Sequence, residues 1–179
     1  MSAPNADFQR VQSQTGLLEK VMLFVPGFHG YKEKEMRREA DGLLRARLYR
    51  SLIQVENTFK DVYRMLVEAG VSETMSDADH LVAKMDRISE QINHAEEGYS
   101  GFYDAVKVRE EDLDRMTTFD ASLVDSIQNI TQAVNSLSSE VTASKYDQAR
   151  QHIMDITGMV NDLENNFNQR KNVIVGVTG

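Results

Sequence analysis

The 179 residues include no cysteine and no tryptophan, and proline occurs only at Pro4 and Pro26. Without cysteine there is no disulfide, no thiolate metal site and no cysteine nucleophile. Scarce proline lets helices run long, because each proline removes a backbone donor and clashes with the preceding turn. Long apolar runs are lacking too. The longest, Val21 to Val25, is far short of the ~20 residues that cross a bilayer as a helix. Residues Met1 to Arg10 are polar and lack the basic-then-apolar order of a secretory signal. A cytoplasmic location is the expectation.

The net charge of −8 argues against general nucleic-acid binding, which rests on cationic surface. The charge is unevenly placed. Residues 1–50 carry nine Lys/Arg against six Asp/Glu, whereas residues 51–179 carry eleven against twenty-two. Such asymmetry orients helices within a bundle or marks a basic contact surface.

What the chain does have is helical spacing. Leu48, Leu52, Val55, Phe59, Val62 and Leu66 alternate gaps of four and three, the seam along which helices pack. Leu81, Met85, Ile88 and Ile92 repeat it, as do Leu123, Ile127, Ile130, Val134, Leu137 and Val141. So do Ile153, Ile156, Val160, Leu163 and Phe167. These seams predict helices over about 32–69, from Ser76, over about 102–141, and from Ser144 to about Arg170-Lys171. A shorter one is predicted from Phe8 to Phe24, ended by Pro26-Gly27. Arg109 and Asp120 fall on the third seam. Asp120 either fixes register as a lone polar seam residue or caps a new helix after a break near Thr117-Thr118. Spacing leaves both readings open. The tail, Asn172 to Gly179, is rich in Val and Ile and reads as β-like.

Chemistry is hard to find in this pattern. His29, His80, His94 and His152 include no pair three or four apart, so no helix presents two histidines to a metal. Glu90 and His94 read as a solvated pair. Asp77-Ala78-Asp79-His80 reads as a helix start that complements the dipole. Gly27-Phe28-His29-Gly30 lacks the Lys-Ser/Thr ending of a phosphate-binding loop. Gly98-Tyr99-Ser100-Gly101 has one residue too few for a nucleophile elbow. No catalytic residue, cofactor or metal is assigned, and an enzyme is not the expectation.

Two blocks stand out. In the first, Phe24, Phe28 and Tyr31 precede the basic residues Lys32, Arg37 and Arg38. In the second, Tyr99, Phe102 and Tyr103 flank Gly101. Aromatics beside cations suit a partner-docking surface, whereas rings closing the end of a core would serve structure alone. The segments Pro26–Asp41 and Gly98–Val108 resemble stretches of an uncharacterised prokaryotic family of helical proteins. That resemblance implies no activity, ligand or site residue.

The fold expected is all-α: an elongated antiparallel helical bundle with coiled-coil-like seams. Residues 1–31 would form a short N-terminal helical element and turn, 32–171 the bundle, and 172–179 an apolar tail. The function expected is that of a non-catalytic interaction or scaffold protein with a protein partner, self-association, or both, and no nucleic acid. Two alternatives stand. One is a peripheral membrane or membrane-complex subunit docking through residues 17–50, less favoured because Lys32-Glu33-Lys34-Glu35 alternates in sign. The other is a ligand-binding bundle with its pocket near Tyr31, Tyr99, Phe102 and Tyr103.

Overall fold

A computed structural model describes residues 4–95 and 108–176, with side chains from residue 9 onward. Among these residues there are five α-helices and no strand: α1 (Pro4–Phe24), α2 (Arg37–Glu68), α3 (Met75–Asn93), α4 (Glu110–Thr142) and α5 (Ala149–Gly176). The protein is an all-α helical bundle. Short 3-10 turns at Lys34–Met36 and Ser72–Thr74 lead into α2 and α3.

The chain forms two compact units. Among the described residues, unit 1 draws on those within 1–47, 95–124 and 166–179; unit 2 draws on 48–94 and 125–165. Unit 2 is where the seams meet. Leu48, Leu52, Phe59, Leu66, Leu81, Met85, Ile88, Ile130, Leu137, Ile153 and Leu163 are all buried there. Their burial is the main driving force, worth roughly 1.5–3 kcal/mol for each large apolar side chain. Within unit 2, Tyr63 of α2 hydrogen-bonds Asp79 of α3, as expected for an antiparallel hairpin. α3 and α5 instead run parallel side by side: Asp77 accepts from Arg150 Nε at 2.8 Å, and Glu164 accepts from Arg87 at 3.0 Å.

Two helices of unit 2 end in the same hydrogen-bond pattern. After α2, Gly70 has φ +75°, Val71 N donates to Leu66 O at 3.0 Å, and Gly70 N donates to Val67 O at 3.0 Å. After α4, Lys145 N donates to Glu140 O and Ser144 N to Val141 O, both at 2.9 Å, with Ser144 at φ 59°. Both are Schellman closures, which satisfy the last carbonyls by turning one residue left-handed. Ser144 therefore ends α4 and does not cap the next helix, which starts at Ala149. Ser76 likewise lies inside α3, whose first residue is Met75.

Two further expectations change, and one open reading is decided. The third seam helix begins at Glu110, so Arg109 precedes it. Arg109 is exposed and pairs with Asp112 at 2.8 Å. No break occurs at Thr117-Thr118: each hydroxyl donates to the carbonyl four residues back, and α4 runs on through Asp120. The tail is helical as far as Gly176. Val173 and Ile174 are buried in unit 1, and burial there outweighs their strand preference.

Candidate functional site

Unit 1 holds a buried polar cluster. Its anchor is Arg170 on α5, a guanidinium with no solvent exposure. It lies one turn beyond Phe167 and one before Ile174, so it occupies a core position on that helix. Its Nε donates to Asp120 Oδ1 at 2.7 Å, and its Nη2 donates to Asp41 Oδ1 at 2.7 Å and to the Tyr31 hydroxyl at 2.9 Å. Tyr31 in turn donates to Asp120 Oδ2 at 2.6 Å. Asp41 also accepts from Arg45 Nε at 2.7 Å, one turn along α2. Two carboxylates thus face two guanidiniums and one phenol.

The backbone around Tyr31 explains how a loop residue reaches this core. α1 stops at Phe24, Phe28 N donates to Val25 O at 3.1 Å, and Gly27 and Gly30 both take φ +84°. At Gly30 a side chain would be strained by that φ and would meet Leu18 at 3.5 Å. The turn buries Phe28 and Tyr31, whose rings meet edge to face at 5.4 Å and 83°. Arg37 Nε donates to the Tyr31 carbonyl at 3.0 Å and fixes the loop from the α2 side.

Burial dominates the proton affinities here. It raises the Tyr31 hydroxyl well above the ordinary phenol value, with Asp120 reinforcing it and Arg170 opposing it. Tyr31 is therefore a neutral donor to Asp120 at every physiological pH. Burial also raises Asp120 above its ordinary 3.8, against the pull of Arg170 and the Tyr31 hydrogen bond. A carboxyl raised on folding contributes stability that is complete below its unfolded value and is lost as pH rises through its folded value. Stability measured by urea unfolding should thus fall for wild type relative to Asp120→Asn as pH climbs from about 3.8. A gap between the two that stays constant from pH 3 to 7 would contradict this assignment.

Above the cluster lies a cleft of about 340 Å³, walled by α1, the turn at His29–Lys32 and the start of α4. Val11, Leu18 and Leu113 supply apolar wall; Arg10, Lys32, Glu110 and Asp114 supply balanced charge. Arg10 Nε donates to Asp114 at 3.1 Å across one side. Tyr31 belongs to both cleft and cluster, since it lines the first and bonds into the second. The set suits binding an uncharged or zwitterionic small molecule in a largely preformed hollow.

The sequence-expected docking residues divide by burial. Phe28, Tyr31 and Arg37 are buried, while Lys32 and Arg38 are exposed. Phe24 is half-buried beneath Arg47, whose guanidinium lies 5.0 Å from the ring centroid and whose Nε donates to the Phe24 carbonyl at 3.1 Å. Tyr99, Phe102 and Tyr103 lie outside the described residues. Asp120 stood out in the sequence by its place on a seam. Arg170, Asp41 and Arg45 did not, although Arg170 continues the spacing Leu163, Phe167, Arg170, Ile174.

Comparison with known proteins returned no match among family models, curated proteins or solved structures.

Proposed function

We propose that this chain is a non-catalytic interaction protein that engages a protein partner through the surface of its N-terminal helix. One observation carries the reading. α1 leaves Val11, Met22 and Leu23 at 64%, 43% and 82% exposure, whereas the other exposed large apolar side chains among the described residues, Val67 on α2 and Met154 and Val175 on α5, lie apart from one another. Val11 and Met22 are three turns apart and share a face. Exposed apolar groups gathered on one element mark an interaction surface more often than scattered ones do. The exposed cations Lys32 and Arg38 in the same unit provide a charged margin of the kind that steers encounter. The cluster beneath supports a structural role for its own residues, because its carboxylates, guanidiniums and phenol bond to one another.

The test is affinity purification of the full chain from its own cells, beside a Met22→Glu/Leu23→Glu variant, with the captured protein then purified and titrated directly. Loss of binding by the variant, with unchanged circular dichroism, is the expected result. Equal binding by both forms would overturn the assignment to α1. Concentration-dependent dimerisation abolished by the same substitutions would identify a second copy as the partner.

A second reading, a ligand-binding bundle, is favoured by the cleft that Tyr31 lines. Among the described residues no helix is long and apolar enough to cross a membrane.

A further inference from the structure

Unit 2 holds a groove that neither the interaction surface on α1 nor the cluster in unit 1 uses. It lies between α2 and α3, has a volume of about 480 Å³, and is lined by Glu56, Lys60, Tyr63, Asp79, Val82, Ala83 and Asp86. Glu56 is the unusual member. It sits beside the seam residues Val55 and Phe59 and is 2% exposed. One carboxylate oxygen pairs with Lys60, one turn on. The other, Oε2, is buried with no hydrogen-bond partner.

Burying a carboxylate is costly, and leaving one of its acceptors unmet adds to that cost. Such a group keeps acceptor capacity that a donor from outside can meet. The groove around it is anionic. Asp79 and Asp86 are exposed on its α3 side, and Lys60 is its one cation, itself half in solvent. Glu56 and Asp86 both hold the Lys60 ammonium charged, as expected where the local potential is negative. Val82 and Ala83 offer an apolar stretch between the acids.

We infer that this groove binds an organic cation, an alkylammonium or guanidinium group, which donates to Glu56 Oε2 and is flanked by Asp79 and Asp86. An alkylammonium brings three N–H donors and a methylene stem. That matches a buried acceptor, two rim carboxylates and an apolar stretch. A metal ion fits less well: no group of three or more His, Asp or Glu among the described residues is placed to hold one. Lys60, held on the other oxygen of the same carboxylate, is the internal cation that competes with a ligand for the charge of Glu56. The same chemistry is offered by a free polyamine or by a basic side chain of another protein.

Titration of the full chain, followed by calorimetry and amide chemical shifts, tests this with two probes: spermidine, and a nine-residue peptide carrying spaced lysines. Saturable one-to-one binding, with shifts centred on residues 56–63 and 79–86, is the expected result. Asp86→Asn and Glu56→Gln should each weaken it about tenfold, as loss of a charged acceptor does. Lys60→Gln should tighten it several-fold, which a merely structural role for Glu56 would not produce. Asp86 is on the surface, so Asp86→Asn keeps the test open if Glu56→Gln disturbs folding. Spermidine alone binding assigns a free amine; the peptide alone binding assigns a protein segment. The inference is overturned if neither probe saturates by ~10 mM. It is overturned equally if magnesium chloride at matched ionic strength shifts the same amides, or if Lys60→Gln leaves affinity unchanged. None of these outcomes depends on whether α1 has a partner.

Discussion

Arg170→Ala is expected to lower the unfolding free energy by about 3–5 kcal/mol, the range for breaking a buried ion pair from one side. The loss comes from what stays behind. Asp120 and Asp41 each lose a 2.7 Å donor, and Tyr31 loses a 2.9 Å one. Asp41 keeps Arg45 and Asp120 keeps the Tyr31 hydroxyl, but Asp120 no longer has a cation. Burial already raises Asp120 against the pull of Arg170, so removing the guanidinium should raise that carboxyl further. The variant should therefore be more stable at pH 5 than at pH 8, while wild type changes less over that interval. Replacing Arg170 and Asp120 together by Met and Leu should recover much of the loss, because apolar substitutes carry no desolvation cost. Chemical denaturation of the single and double variants at the two pH values checks both statements. A single variant within ~1 kcal/mol of wild type would mean that the cluster is not closed as described.

Phe28→Ala is the second large effect, about 3–5 kcal/mol for a buried phenylalanine. The ring is 1% exposed and meets Tyr31 edge to face. Its loss leaves a cavity beneath the turn that sets Tyr31 against Asp120. The damage should therefore exceed simple apolar transfer and should couple to the cluster. A cycle pairing Phe28→Ala with Tyr31→Phe would read this as non-additivity of ~0.5 kcal/mol or more. Strict additivity would show that ring packing and the hydrogen bonds act independently.

The helical seams were legible because burial in a bundle repeats along one chain. Leu48 through Leu66, Leu81 through Ile92 and Leu123 through Val141 are buried as their spacing predicts. What spacing could not supply was pairing across the chain. Asp120 was conspicuous as a carboxylate on a seam, yet nothing local pointed to Arg170, fifty residues on. Arg170 stood instead at the predicted end of the last helix, ahead of the Val/Ile-rich stretch that read as β-like. Burial of Val173 and Ile174 keeps that stretch helical and moves Arg170 to mid-helix. A basic residue and an acidic residue each on a seam was the missed signal, since each needs the other once buried. Asp41 and Glu56 lie beside buried apolar neighbours, where a wet flank and a dry interior have the same periodicity. Phe28 and Tyr31 stood out as aromatics next to cations, a composition shared by docking surfaces and by core closures. Only the turn at Gly27 and Gly30, which directs both rings inward, separates the two.

Separating scaffold from surface is most direct with Asp120→Asn and Leu23→Glu assayed side by side for unfolding free energy and partner capture. Asp120→Asn is expected to change stability and its pH dependence while capture stays at the wild-type level. Leu23→Glu, at an 82% exposed position, is expected to leave stability within ~0.5 kcal/mol and to abolish capture. Full capture by Leu23→Glu, with capture lost in a folded Asp120→Asn protein, would contradict the division and place the functional chemistry in the cluster.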